Sequence, residues 1–462
     1  MVRYNQAVLV AGMLSATLLS SVAPAFAENI QGALARAYRA NPTLNSQRAN
    51  ARATDEAMPQ ALSGYRPKLT GAADIGIADQ NVDAAGAAGS KNTNARPRGM
   101  SVTLDQVIYN GGRTGNSVRA AESQILGARE TLRNTEQTVL LNAATAYMNV
   151  LRDTALLNLR RNNIEVLTTQ LQQTTDRFRV GELTRTDVAQ SESRLAKSRS
   201  DSYLAEANLK SSIATYQQVV GDPPKKLSPA KGVDHLLPKT RDAAISLSQK
   251  EHPAIIATLH GVDQQQLQVK VIEGELYPTI SLQAVGARRM DNSNVRGTEV
   301  WSASLVGRLS VPIYEGGAVY SRVRQAKETL TSQRLAVDTQ RESVRQLVVS
   351  AWGALEATRA QITASEAGVR AAEIALAGVR EEAKVGQRTT LDVLNAQQDL
   401  LDARVTLVTA QRDRVVASYT LLGAIGRLSL RTMGIKAPAY DPKIHYEQVR
   451  DKWIGLRTPD GQ

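Results

Sequence analysis

The chain holds 462 residues, 42 % hydrophobic, 22 % charged and only 4 % aromatic, and its lack of cysteine excludes a disulfide framework, a thiolate zinc site, an iron–sulfur cluster and a cysteine nucleophile. The net charge of +12 admits an anionic partner, but lysine and arginine are dispersed among 44 acids without a basic run, a pattern that speaks against nucleic acid. Three Trp, two Phe and 13 Tyr are few for several compact cores, so small aliphatic interfaces must hold the chain together.

Arg3 precedes an apolar stretch from Ala7 to Ala23, and Ala25-Phe26-Ala27 supplies the small residues that a signal peptidase needs. Ser15, Thr17, Ser20 and Ser21 interrupt the stretch and Pro24 closes it, which predicts a cleaved export signal over 1–27, cut before Glu28, rather than an anchor. No later run is long and apolar enough for a spanning helix, so any membrane insertion must use strands.

The remainder is a tandem repeat. Asn41-Pro42 recurs as His252-Pro253, and Tyr65-Arg66-Pro67 as Leu276-Tyr277-Pro278, both displaced by 211 positions. Tyr109-Asn110-Gly111-Gly112 recurs as Tyr314-Glu315-Gly316-Gly317, Val180-Gly181 as Val385-Gly386, Asp187-Val188 as Asp392-Val393 and Gly221 as Gly426, all displaced by 205. Repeat one covers 28–221, a linker 222–240, repeat two 241–426 and a tail 427–462.

Each repeat reads helix, strand, loop, strand, very long helix, turn, helix. In repeat one the first helix runs from about 30 to 63, and Pro67 stops it. Alternation then predicts strands at about 68–78 and 98–108, and at about 279–288 and 300–311 in repeat two. Leu69, Gly71, Ala73 and Ile75 oppose Lys68, Thr70, Ala72 and Asp74, and Trp301, Ala303, Leu305 and Leu309 oppose Ser302, Ser304, Arg308 and Ser310. Four strands of about ten residues suit a tilted transmembrane strand, and equally a soluble hairpin with one wet face.

The helix from Arg113 to Val180 spans about 68 residues, roughly 100 Å. The helices at about 30–63 and 186–220 sum to nearly the same length, so two short helices stacked end to end match one long one. Leu157, Ile164, Leu171 and Phe178 recur every seven residues, as do Val393, Leu400 and Leu407 beside Ala396, Ala403 and Ala410, a coiled-coil signature with small residues for close approach. Turns at 180–185 and 385–390 fold these helices into two antiparallel hairpins. A wall of uniform height follows.

In lipid, strands must close into a barrel; four cannot, eight leave an interior filled by side chains, and twelve from three chains leave a bore. No phosphate loop, catalytic carboxylate constellation or metal spacing occurs. His235, His252, His260 and His445 read as surface or capping residues, so neither cofactor nor catalytic site is expected.

The order of elements, the paired Tyr-x-Gly-Gly strand ends, the Val-Gly…Asp-Val turns and the export signal resemble the TolC family of bacterial outer-membrane efflux and secretion proteins over about 28–426. The tail, with Tyr440-Asp441-Pro442, His445-Tyr446 and Lys452-Trp453, resembles members that serve type I secretion. The resemblance implies a mainly α fold with transmembrane β: a homotrimeric twelve-stranded β-barrel in the outer membrane of a Gram-negative bacterium, continuous with a long α-helical coiled-coil barrel in the periplasm, two tandem repeats per protomer. It implies an exit duct served by a periplasmic adaptor and by an inner-membrane ABC or proton-driven transporter.

Asp187 and Asp392 each lie six residues after a turn glycine, where a carboxylate in a helix's first turn is favoured by the dipole, with Thr186 or Thr390 expected to help cap. By resemblance, Asp392, Arg388, Asp187 and Thr186 form the periplasmic gate, and Val180, Gly181, Val385 and Gly386 the adaptor-docking turns. Arg388 stands where repeat one has Leu183. The sequence departs from well-studied members at Ala383 and Asn395, where they place a tyrosine and an acid. A periplasmic coiled-coil adaptor is opposed by two hairpins and four strands, and a filamentous structural protein by the strands themselves.

Overall fold

The computed structural model describes residues 28–82, 91–291 and 297–459. The export signal, with Ala25 and Ala27, lies outside them. In repeat one, α1 (Ile30–Ala40), α2 (Pro42–Asp55) and α3 (Ala57–Leu62) lead to β1 (Lys68–Ile75), β2 (Ala78–Val82), β3 (Lys91–Ala95) and β4 (Arg98–Asn110), then to α4 (Arg113–Arg179) and α5 (Arg185–Val220). Repeat two supplies α6 (Arg241–Glu251), α7 (Pro253–Glu273), β5 (Thr279–Met290), β6 (Glu299–Ser310), α8 (Ala318–Lys384) and α9 (Thr390–Ala424), and the tail adds α10 (Pro442–Val449). Both long helices, α4 and α8, have 67 residues.

The expected single helix over 30–63 is broken. Asn41 is extended, with ψ 122°, because the following proline disfavours the helical region for it, and its side chain accepts from the amides of Thr43 and Leu44 to start α2. His252 does the same before Pro253, its Nδ1 accepting from the Ala254 amide at 3.2 Å. The repeat therefore extends to a capped break between two helices.

β1, β4, β5 and β6 form one antiparallel sheet in the order β1-β4-β5-β6, and β2 and β3 form a separate hairpin. Register places Leu69, Leu104, Ala284 and Leu305 in one cross-strand row and Gly71, Val102, Gly286 and Ala303 in another. The opposite face carries Thr70, Thr103, Val285 and Ser304, and next to them Lys68, Asp105, Gln283 and Val306. There Gln283 donates to Asp105 at 2.8 Å. An apolar face thus opposes a polar one, as membrane strands around a wet lumen require.

At the sheet base, Gly111 passes over the end of α7 so closely that a Cβ on it would lie 2.3 Å from the Gly274 carbonyl oxygen. Its φ of +67° also suits glycine.

Midway along the long helices the chain builds its largest core, from α1, α2, α4, α5, α9, the linker and the tail, around Leu34, Leu140, Tyr147, Tyr216, Leu422 and Leu428. Glu28 is pinned there. Its amide donates to the Lys226 carbonyl at 2.8 Å, its carbonyl accepts from Tyr147 at 2.8 Å, and its carboxylate accepts from Tyr216 at 2.6 Å and pairs with Arg36. The linker's Asp234 reaches Arg359 of α8 at 2.5 Å and Arg414 of α9 at 3.6 Å. The buried tyrosines Tyr38, Tyr147, Tyr216 and Tyr419 all belong to this core. The tail lies along α1 and α2: Arg48 stacks between Tyr38 and Tyr440, and His445 Nδ1 meets Asp55 Oδ2 at 3.0 Å.

Candidate functional site

The two hairpin tips stand at the end of the helices remote from the sheet. Each long helix stops by the same device. The Glu182 amide donates to the Arg177 carbonyl and the Gly181 amide to that of Phe178; Gln387 and Gly386 do the same to Glu382 and Ala383. These paired bonds need a left-handed residue, supplied by Gly181 at φ +82° and Gly386 at φ +80°. The turns leave Val180 and Val385 72 % and 70 % exposed, one apolar knob per tip.

The return helices start with reciprocal caps. Asp187 Oδ2 accepts from the Thr184 amide at 3.0 Å and its hydroxyl at 2.7 Å, while the Asp187 amide donates to Thr184 Oγ1. Asp392 and Thr389 repeat the arrangement at 2.9 Å for both bonds to the carboxylate. The caps are therefore Thr184 and Thr389, not Thr186 and Thr390. A capping side chain must stand outside the helix, three residues before the acid, whereas Thr186 and Thr390 already lie within α5 and α9. Hydrogen bonds from Thr184 hold the Asp187 carboxyl below its usual range, and those from Thr389 do so for Asp392, so both are ionised at neutral pH.

Around each turn runs one ion pair, and the two have opposite polarity. Arg177 Nε donates to Glu182 Oε2 at 2.9 Å in repeat one, whereas Arg388 Nε donates to Glu382 Oε2 at 2.8 Å in repeat two. Arg177 and Glu382 occupy equivalent positions, 205 apart. Within one chain Arg388 thus bonds to Glu382 in its own hairpin, and Asp187 to Thr184; the two are not brought together. Either turn read alone gives no sign of this pairing, and only overlaying the repeats exposes the charge reversal.

The hairpins lie side by side because α9 packs against α4 and α5 around Leu167, Leu195 and Leu394. Arg194 of α5 donates to Asn395 Oδ1 of α9 at 2.7 Å. Ala383 is half-buried on α8 and contributes no polar group.

Among the described residues no helix is long and apolar enough to cross a membrane, and no three His, Asp or Glu side chains stand together to hold a metal. A sheet with one apolar face, fused to helices roughly 100 Å long whose far halves fold back as coiled-coil hairpins, defines an outer-membrane channel with a periplasmic helical extension. The sequence model described as outer membrane efflux protein matches residues 33–222 and 244–427, one match per repeat, and the chain belongs to that family. It is 42 % identical to the outer membrane efflux protein BepC of Brucella suis, over 99 % of this chain and 98 % of that one. It is 27 % identical to the outer membrane protein TolC of Escherichia coli, over 87 % and 83 % of the two chains. The Campylobacter jejuni CmeC outer membrane channel superposes with a TM-score of 0.76 at 17 % identity, over 92 % of this chain and 89 % of that one. The protein is a non-enzymatic efflux and secretion channel of the TolC family in the Gram-negative outer membrane.

Proposed function

We propose that three copies form one duct, with a twelve-stranded barrel in the outer membrane and a helical tunnel that narrows at the hairpin tips. One observation carries this reading: β1 and β6 are free edges of a sheet whose one face is apolar. In lipid those edges must pair, and pairing β6 of one copy with β1 of the next closes the barrel. Twelve strands leave a water-filled bore.

At the far end Asp392, Arg388, Asp187 and Thr186 of the three copies ring the closed mouth, with Arg388 facing Thr186 or Asp187 of the adjacent hairpin. The grooves beside Val180-Gly181 and Val385-Gly386 receive the helical hairpin of a periplasmic adaptor, which couples the duct to an inner-membrane ABC or proton-driven transporter. The duct itself is passive. The mass of the detergent-solubilised protein tests the assembly: three times the chain mass is expected, and any other stoichiometry overturns it.

A further inference from the structure

The tail does not end in the equatorial core. After α10 it climbs to the sheet base, where Arg66, two residues before β1, donates Nη1 to the Lys452 carbonyl at 2.9 Å and stacks its guanidinium 4.6 Å from the Trp453 ring. A small loop follows. Lys452 Nζ donates to the Arg457 carbonyl at 2.5 Å, and Gly455 at φ +118° makes the bend. On this loop Trp453, Ile454 and Leu456 are 66 %, 90 % and 102 % exposed. Three neighbouring large apolar side chains with so little cover need an occupant.

We infer that this loop is a membrane-surface anchor that inserts Trp453, Ile454 and Leu456 into the periplasmic leaflet of the outer membrane beside the barrel. Its height matches: Arg66 fixes it at the level where the strands begin. Exposed tyrosines mark the same level on three strands, Tyr65 before β1, Tyr109 near the end of β4 and Tyr277 before β5. Tyrosine and tryptophan favour this zone because an apolar ring meets lipid while its polar edge stays wet. Arg66, Arg450, Lys452 and Arg457 flank the apolar tip and outnumber Asp451, the single acid between positions 448 and 459, so the rim suits anionic phospholipid headgroups. Clamps at Tyr38–Tyr440 and Asp55–His445 hold the tail in place below it.

The inference rests on the sheet lying in the membrane, and the chain's three tryptophans separate the two claims. Trp301 lies in β6 and Trp352 about 50 Å along α8 from its first residue. Three full-length variants, each keeping one tryptophan and carrying Phe at the other two, are reconstituted into phosphatidylethanolamine–phosphatidylglycerol bilayers containing brominated acyl chains. Quenching of Trp301 and Trp453 by at least twofold, with Trp352 unaffected, is expected. Quenching of Trp301 without Trp453 overturns the anchor while leaving the barrel intact; no quenching of Trp301 overturns the barrel. Trp453 shielded from aqueous iodide yet unquenched by bromolipid means that protein covers it, which also overturns the proposal. Should a single-tryptophan variant fail to assemble, a smaller bromolipid-quenched share of the emission in Trp453→Phe than in the unsubstituted protein gives the same answer, and an equal share overturns the anchor. Ile454→Asp with Leu456→Asp is expected to lower binding of the detergent-released protein to such vesicles severalfold.

Discussion

Arg194 and Asn395 join the two hairpins of one chain near their tips through a single hydrogen bond of 2.7 Å, from a charged donor to a neutral acceptor. The bond crosses from repeat one to repeat two, so moving one hairpin past the other must break it. Asn395→Asp converts it to a salt bridge in an exposed setting, worth about 0.5 kcal/mol. Open probability in planar bilayers is expected to fall about twofold, and Arg194→Ala to raise it by a similar factor. An unchanged open probability in both variants separates this bond from gating.

Arg388→Glu replaces the Arg388–Glu382 pair by two adjacent carboxylates with Asp392 close by. Like charges at the mouth repel, and the hairpin loses its contact around the turn. Single-channel conductance should increase, while Arg388→Lys, which keeps the charge without the forked geometry, should fall between. Conductance equal to wild type for the Glu variant removes Arg388 from the gate.

The proposed gate gives Asp187 a task at the mouth besides its cap, and substitution can separate the two. Thr184→Ala removes the cap of α5 and is expected to cost about 1 kcal/mol while leaving the charge of Asp187 in place. Asp187→Asn keeps an acceptor for the Thr184 amide and removes the charge. Cation selectivity, measured as a reversal potential across a salt gradient, should therefore fall for Asp187→Asn and stay close to wild type for Thr184→Ala. The opposite order would make the residue a cap alone.

His252 supplies a pH dependence whose sign is fixed. Burial, with a smaller contribution from Arg133, pushes its pKa down to about 4 from the ordinary 6.5. The unfolded chain therefore takes up a proton first, so stability falls as pH drops from about 6.5 to about 4 and changes no further through this group below that. The loss is on the order of 3 kcal/mol. Asn41 shows what else can fill the position, since it caps α2 before its own proline with a side chain that does not titrate. His252→Asn should keep the cap and flatten this part of the acid-unfolding profile, read as midpoint against pH. An unchanged slope assigns the acid sensitivity elsewhere.

Periodic features were legible without coordinates. The seven-residue spacing of Leu157, Ile164 and Leu171, the alternation around Leu305, and the doubled Val-Gly and Tyr-x-Gly-Gly landmarks place helices, strands and turns within a few residues of their positions, because each repeats a geometric period of the backbone. Single-residue features were harder. The break at Asn41 is carried by one residue pair, Asn-Pro, inside a pattern that otherwise reads as continuous helix. The cap at Thr184 competes with Thr186 two residues on, and only the three-residue distance to Asp187 decides between them. The bond of Arg388 to Glu382 joins residues six apart across the turn, a pairing that no period in the sequence marks. The tail gave no periodic signal, since its place is set by scattered contacts such as Arg48 with Tyr440 and Arg66 with Trp453.

The hairpins also have a mechanical consequence. The packed belt around Tyr147 and the exposed tip at Val180 lie on one uninterrupted helix, about 50 Å apart. Such a rod is a lever: each degree of tilt at the belt sweeps the tip through about 0.9 Å, so a swing of about ten degrees, within the reach of ordinary packed-helix adjustments, displaces the tip by more than the width of a side chain. In the duct proposed above, the contacts that set the fulcrum, Asp234 with Arg359 and Arg414, and Glu28 with Tyr216, are therefore expected to change the aperture at a distance without touching anything that passes through it.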